Sequence, residues 1–368
     1  MTGFGTGETL ADRFRAHARD KSHLYGHAMR GMAEDWEAGG PVRQVCAGYE
    51  DAAIGSVIQL RLLAGVFRLV LTGRAPELIP YYPCLAEPGG GREEPPDRAW
   101  PLMRAVIGQH IPELHQALGI APQTNEVGRA AALLAGLFDL IGVTGSRSVR
   151  LLEVGASAGL NLLLDQFHFT GAETAGGGGP WHWGDLLSPV QLGQSIEGPV
   201  RPQSFTISAR RGCDLSPVDA SSPEGQQLLT SFVWPFDPHR HRRLAAALEV
   251  AAAHPVRVDR GPASDWLAEQ LTGHPTAADE AGELTVVWHS ISQMYWSPAE
   301  SERVESLLAA AGAVHPLARI TMEFSGDAPS GQPQVITTLW RPAISPAPRV
   351  ELVGTAHDHG IPVRLRSS

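Results

Sequence analysis

Cysteine is nearly absent from this chain. Cys46, Cys84 and Cys213 are odd in number and far apart, with no Cys-x-x-Cys pair, which excludes a disulfide framework and removes the usual basis for a zinc or thiol-redox centre. Basic charge is also short: 29 Lys and Arg stand against 39 Asp and Glu, a net charge of −10. A phosphate backbone demands a positive footprint, so nucleic acid is not the expected partner, and a small molecule or another protein is. Long uncharged apolar runs are missing too. The most apolar stretch, Ala130 to Val143, carries Asp139 and falls short of the roughly 20 residues of a membrane-spanning helix. The opening Met1-Thr2-Gly3-Phe4-Gly5 lacks the basic start and apolar run of a secretory signal. The expectation is a cytoplasmic protein with reduced thiols and no membrane anchor.

The 368 residues exceed one average domain. Helical periodicity dominates the first part, where Ile54, Val57, Leu60, Leu63, Phe67 and Val70 recur at three-and-four spacing, as do Val127, Ala131, Leu134, Phe138 and Ile141. Glu87 to Pro96, rich in proline, glycine and charge, reads as an exposed loop inside this region. The pattern changes at Val149 to Val154, a short apolar run ending at a glycine turn, as a buried parallel strand would be. A helix is expected from Ser157 to Gln166, then a loop and hairpin around Gly176 to Trp183. Beyond Ser204 strand and helix signals alternate. Strands are expected at Ser204 to Ser208, Val256 to Asp259, Leu284 to Trp288 and Arg319 to Phe324. Helices should open at Asp237-Pro238, at Ser264, and at the capping box Ser297-Pro298-Ala299-Glu300. The last strands, Val335 to Trp340, Val350 to Val353 and Pro362 to Leu365, have no helices between them, which predicts an antiparallel carboxyl edge. The reading is α/β: a doubly wound sheet over residues 148–368 with an insertion at about 170–203, preceded by an N-terminal helical region over 1–147 expected to cap the site.

A strand, then Glu-x-Gly-x-x-x-Gly, then a helix lets small residues bring backbone close to a ligand. The full string Leu151-Leu152-Glu153-Val154-Gly155-Ala156-Ser157-Ala158-Gly159-Leu160-Asn161 resembles the first motif of class I S-adenosylmethionine-dependent methyltransferases. More narrowly, with Gln123 to Arg129 upstream and Arg210 to Pro217 downstream, the chain is similar to an actinobacterial family of unknown function built on that fold. The resemblance implies a Rossmann-like fold and S-adenosylmethionine held by Glu153, Gly155, Ser157, Gly159 and Asn161. It also implies that Asp214 receives the ribose hydroxyls and that Asp265, in Gly261 to Leu267, meets the adenine amino group. The interval from Glu153 to Asp214 is about three times that of the related dinucleotide fingerprint, and the glycine-rich insertion accounts for it; Glu173 is the alternative acid. Helix capping by Ser264 or Asp265 is the alternative reading of the adenine turn. The sequence departs from the methyltransferase pattern at Ser157, where a middle glycine is usual; its side chain could bond a ligand, cap the helix or mark loss of the cofactor.

His289 and Ser290 follow the clearest strand at its carboxyl end, the edge where open α/β sheets bind ligands, and an imidazole there could take a proton from an attacking amine or hydroxyl. Tyr295 is a candidate polar lid residue. Thr124, Asn125, Glu126 and Arg129 open an amphipathic helix, either as caps and a solvated charge pair or as a substrate-gripping patch in which Glu126 orients an acceptor. Glu50 and Asp51 precede a helix, where acids suit the dipole, or bind a substrate ammonium group. His239, His241, His357 and His359 lack a third clustered ligand, so no metal is expected. Trp181, Trp183 and Trp234 are expected to pack the core. Three functions fit. The first is a small-molecule methyltransferase of bacterial secondary metabolism. The second, implied by relatives that form aziridines, is a cyclase in which a substrate amine displaces a sulfate-type leaving group beside a sulfotransferase-like partner. The third is a non-catalytic scaffold subunit.

Overall fold

The computed structural model describes residues 9–85, 94–174, 176–272, 282–324 and 331–366. They divide into two compact units, Met1–Thr124 with Ser222–Arg242, and Asn125–Ser221 with Arg243–Ser368. The helix expected before the first strand therefore groups with the sheet rather than with the helical region.

The first unit is helical: α1 (Leu10–Ala18), α2 (Leu24–Glu37), α3 (Pro41–Val45), α4 (Ile58–Leu71), α5 (Trp100–Gln109), α6 (Ile111–Leu118) and α8 (Pro223–Ser231). Thr9 and Asp12 close a reciprocal capping box on α1. The apolar stripe expected from Ile54 onward is interrupted. Ile54–Ser56 forms a 3-10 turn, Val57 is left-handed at φ 45°, and the α-helix starts at Ile58. The Ser56 hydroxyl donates to the Ala53 carbonyl, a local bond that competes with helix formation. Leu62, Leu63, Val66, Phe67 and Val70 then enter a core shared with Phe14, Met29, Met32 and Tyr82. Most of the expected loop Glu87 to Pro96 lies outside the described residues.

The second unit is built on a sheet of nine strands in the order β5-β12-β11-β10-β9-β8-β1-β6-β7. β1 (Ser148–Val154), β6 (Thr206–Asp214), β7 (Val258–Arg260), β8 (Glu283–Ser290) and β9 (Leu317–Glu323) run parallel. β10 (Gln334–Arg341), β11 (Ser345–Ala356) and β12 (Val363–Leu365) continue antiparallel, as their uninterrupted succession predicts, and β5 (Ile196–Glu197) pairs parallel with β12. Inside the expected insertion, β2 (His168–Gly171), β3 (Trp181–Gly184) and β4 (Gln191–Gly193) form a second sheet. Taken in chain order, the five parallel strands stand 3-2-1-4-5. The order reverses between β1 and β8, the switch point outside whose carboxyl ends open α/β sheets hold their ligands.

α10 (Ala263–Thr272) and α11 (Pro298–Gly312) cover one sheet face, packing Trp266, Leu267, Val304 and Leu308 on Leu152, Val154 and Val287. Ser297 caps α11 as the sequence predicts, its hydroxyl accepting from the Glu300 amide. The Glu300 carboxylate does not close the box; it takes the Ser264 amide and hydroxyl, each at 2.8 Å, and so caps α10. Asp237 accepts from the Arg240 amide at the start of α9 (Pro238–Ala253). α7 (Ala130–Thr144) packs on β9 to β12, with Ala130 to Leu134 buried on every side. Residues Val127–Thr144 and Ile54–Leu71 are each long and apolar enough to cross a membrane; both lie mostly buried, as core helices do. The helix expected at Ser157 to Gln166 is instead a 3-10 segment, Leu160–Gln166, with Leu163 out of helical geometry.

Gly136 lets α7 sit directly on β9: a Cβ there would stand 2.6 Å from Ile320 Cγ2. Gly136→Val is expected to lower unfolding free energy by about 1–3 kcal/mol through overpacking, although valine is the better helix former. An unchanged denaturant midpoint would show that the helix lifts without cost.

Candidate functional site

The turn after β1 alternates left-handed residues, Gly155 at φ 70°, Ser157 at φ 55° and Gly159 at φ 74°. Glycine is needed at both ends, because a Cβ at Gly155 would come 2.8 Å from Ser292 Cβ and one at Gly159 2.7 Å from Val256 Cγ2. Ser157 holds the same conformation with a side chain, at a cost in strain. Every amide of the turn is engaged within the protein. Gly155 and Ala156 donate to the Cys213 carbonyl and Gly159 to Ala156. Ser157 donates to Asp214 Oδ2 at 2.9 Å, and Ala158 and Leu160 donate to Asn125 Oδ1 at 3.2 and 3.1 Å. The other Asp214 oxygen takes the Ser216 amide at 2.8 Å, and the Val218 amide bonds the Ser157 carbonyl, so the loop after β6 is laced to this turn. The expected arrangement, in which turn amides face a ligand, is therefore corrected: side chains are what the turn has left to offer.

Those side chains are short of partners. Glu153 is 2% exposed and accepts from the Trp288 indole at 3.2 Å through Oε1, while its Oε2 bonds nothing. The Ser157 hydroxyl and Asn161 Oδ1 are likewise buried and unpartnered. Burial pushes the Glu153 carboxyl up to about 8, with the Asp214 charge adding to the rise and the Trp288 indole and the Arg129 charge opposing it.

His289, at the end of β8, is buried with Nδ1 2.8 Å from Glu323 Oε1 and its ring 5.1 Å from Trp296. Its Nε2 has no partner, nor does the Ser292 hydroxyl. The same Glu323 oxygen accepts from the Ser292 and Gln293 amides at 3.1 and 3.3 Å, tying the histidine and the following turn to one carboxylate. With Nδ1–H donating to Glu323, Nε2 is left with the lone pair, the form a general base requires. Ile291 between them is left-handed at φ 47°, a rare conformation for a β-branched residue and of the kind that gathers at functional sites. Glu153 pairs in register with Trp288, so those two share a sheet face and His289 points to the other. The two titratable groups thus end adjacent strands on opposite faces of one rim.

The patch before α7 supports this rim. Asn125, left-handed at φ 30°, holds the turn, and Glu126 accepts from the Gly128 amide at 3.3 Å. Glu126 is 4% exposed and faces Arg243 at 3.6 Å and His359 at 3.8 Å. Arg129 donates to the Ser290 carbonyl at 3.2 Å and the Asp358 carbonyl at 3.1 Å, joining the end of β8 to the loop before β12. Tyr295 is half exposed on the turn after β8. Asp265 is paired with Arg303 at 2.6 Å on the solvent side of α10 and α11. Thr124, Glu50 and Asp51 belong to the helical unit, where Glu50 and Asp51 are exposed. Among the described residues no group of three or more His, Cys, Asp and Glu is arranged to hold a metal. Sequence reasoning missed Glu323 and Ser292. Glu323 carried a usable signal, ending the strand beside β8 at the same edge; Ser292 carried none.

Strand order and rim together define a mixed α/β protein with a large, mostly parallel sheet and a candidate ligand site at its switch point. The chain belongs to the bacterial family described as "Uncharacterized protein conserved in bacteria (DUF2332)", whose model matches residues 8–364. No curated protein and no solved structure matches it.

Two predictions follow from the geometry of the turn. Asn125→Ala strands the Ala158 and Leu160 amides and should cost about 3 kcal/mol in urea unfolding; a loss under about 1 kcal/mol would mean water replaces the side chain. Glu153 makes stability pH-dependent. Below its ordinary value of 4.5 it is protonated in both states; between 4.5 and about 8 the unfolded chain ionises and the folded one does not, so its contribution falls as pH rises and is gone above about 8. In Glu153→Gln that decline should vanish from denaturation curves taken across this range, and an unaltered decline would place its source elsewhere.

Proposed function

We propose that this protein is a small-molecule enzyme that aligns an in-line displacement, a substrate nucleophile losing its proton to a buried base as it attacks. The observation that carries this reading is the set of buried, unpartnered polar atoms at the carboxyl ends of β1 and β8: Glu153 Oε2, Ser157 Oγ, Asn161 Oδ1, His289 Nε2 and Ser292 Oγ. Each such atom costs about 1–3 kcal/mol, and these five lie where this sheet topology favours a ligand. An in-line displacement has entering and leaving atoms on opposite sides of one carbon. His289, oriented by Glu323, is placed to take the nucleophile's proton, while Glu153, held neutral by burial at pH 7, lies on the other face of the sheet.

S-adenosylmethionine, which the resemblance to class I methyltransferases implies, does not fit the residues present. The turn amides are engaged by Asn125, Asp214 and Cys213. Both Asp214 oxygens already accept amides, and Asp265 is held by Arg303. Ser157 also places a side chain where a middle glycine is usual. The reading we favour is therefore displacement within one substrate, as in aziridine formation. An amine nitrogen bonds to carbon, the carbon–oxygen bond to a sulfate-type group breaks with its electron pair leaving on sulfate, and the amine proton passes to His289 Nε2. A sulfotransferase-like partner would supply the activated group, and the unpaired Cys46, Cys84 and Cys213 suit a cytoplasmic setting. Methyl transfer is the second reading, favoured by the 3-2-1-4-5 strand order with the Glu-x-Gly-x-x-x-Gly turn.

Calorimetric titration separates the two. With S-adenosylmethionine or S-adenosylhomocysteine carried to millimolar concentration, no saturable heat is expected. A saturating isotherm for either would overturn the internal displacement and restore methyl transfer.

A further inference from the structure

A cleft of about 730 Å³ opens in the antiparallel half of the sheet, lined by α7, β11, the end of β12 and the segment between β5 and β6. None of its lining residues takes part in the rim of β1 and β8. Its volume falls in the range of small-molecule sites. Its apolar lining includes Phe138 and Val143 from α7, with Val200 and Leu365. Its charged lining locally reverses the sign of an acidic chain: Arg201, Arg349 and Arg366 stand against Asp139 and Glu351.

The charges are not equivalent. Asp139 receives both Arg349 nitrogens, at 2.8 and 2.9 Å, and the Thr337 hydroxyl at 2.7 Å, so this pair is closed on itself. Glu351 lies 3.5 Å from Arg349 as well. Arg201 and Arg366 are exposed, and their guanidinium groups carry no ion pair among the described residues. An apolar wall beside two unengaged guanidinium groups is complementary to a molecule with a hydrocarbon body and one anionic head.

We infer that this cleft is a second ligand site, distinct from the rim, that takes an aliphatic carboxylate: the chain lies along Phe138, Val143 and Val200, and the carboxylate is held by Arg201 and Arg366. The test is calorimetric titration of the full chain with decanoate below its aggregation limit, with decyltrimethylammonium as the opposite-charge control. One saturable site is expected for decanoate and none for the ammonium compound. Arg201→Ala/Arg366→Ala should weaken decanoate at least about tenfold, the scale of one lost charge-assisted hydrogen bond. Val143→Trp, at a half-exposed position where a larger side chain leaves folding intact, should block the apolar wall and abolish saturation. Absence of saturable decanoate binding, equal affinity in the wild type and both variants, or equal binding of the cation would overturn the proposal.

Discussion

The structure of the sheet unit turns on one requirement: every amide from Gly155 to Leu160 leaves the β1 strand in a direction that no helix or sheet ladder satisfies, and most of the turn is buried. Two segments far apart in the chain meet most of that requirement, and the Gly159 amide turns back on Ala156. Cys213 and Asp214 bring the end of β6, and Asn125 brings the lead-in to α7. Asn125 adopts a left-handed backbone to reach two amides with one oxygen, and asparagine is among the few residues that do so readily. The segment after the turn, Leu160–Gln166, is 3-10, with Leu163 out of helical geometry. A pattern that suggests a ligand cradle thus becomes the joint of the fold.

That joint shapes what chemistry remains. With the backbone donors engaged, polarity at the rim comes from side chains, and the unpartnered ones are a neutral carboxyl, an amide oxygen, two hydroxyls and an imidazole nitrogen. The charged groups beside them are engaged within the protein: Glu323 holds His289, Asp214 the Ser157 amide, Arg129 the carbonyls of two loops, and Glu126 faces Arg243 and His359. Two of the non-glycine residues with positive φ, Ser157 and Ile291, sit on the turns that carry Glu153's neighbours and His289.

Much of this was legible in the sequence, because it follows from short-range pattern. Short apolar runs marked β1, which ends at a glycine turn, β8 and β9, and the absence of helices between the last strands marked the antiparallel edge. Ser297-Pro298-Ala299-Glu300 announced the start of α11, yet its final carboxylate serves α10, since a capping motif specifies the residue that can reach back and not whether a better donor stands in front of it. What the sequence hid is long-range. Glu323 is tied to His289 across two strands, and Asn125 to Ala158 through a turn with no local signature. Whether Glu153 and His289 share a face depends on strand register, which a one-residue slip would reverse and which no run of apolar residues encodes.

Asp214 shows why an acid at the right place in a motif does not identify a ligand. After the second parallel strand it is well placed to receive hydroxyl groups from outside the protein, and equally well placed to receive the amides of Ser157 and Ser216. A carboxylate oxygen that accepts a backbone amide keeps a lone pair, but its direction is fixed by that bond, and in this turn the direction is toward the protein. Glycine at position 157 would let the turn open without moving a side chain; serine makes the closed form the one with its hydroxyl buried and unpartnered. The turn is therefore closed on the protein's own groups, with the Ser157 hydroxyl left buried inside it.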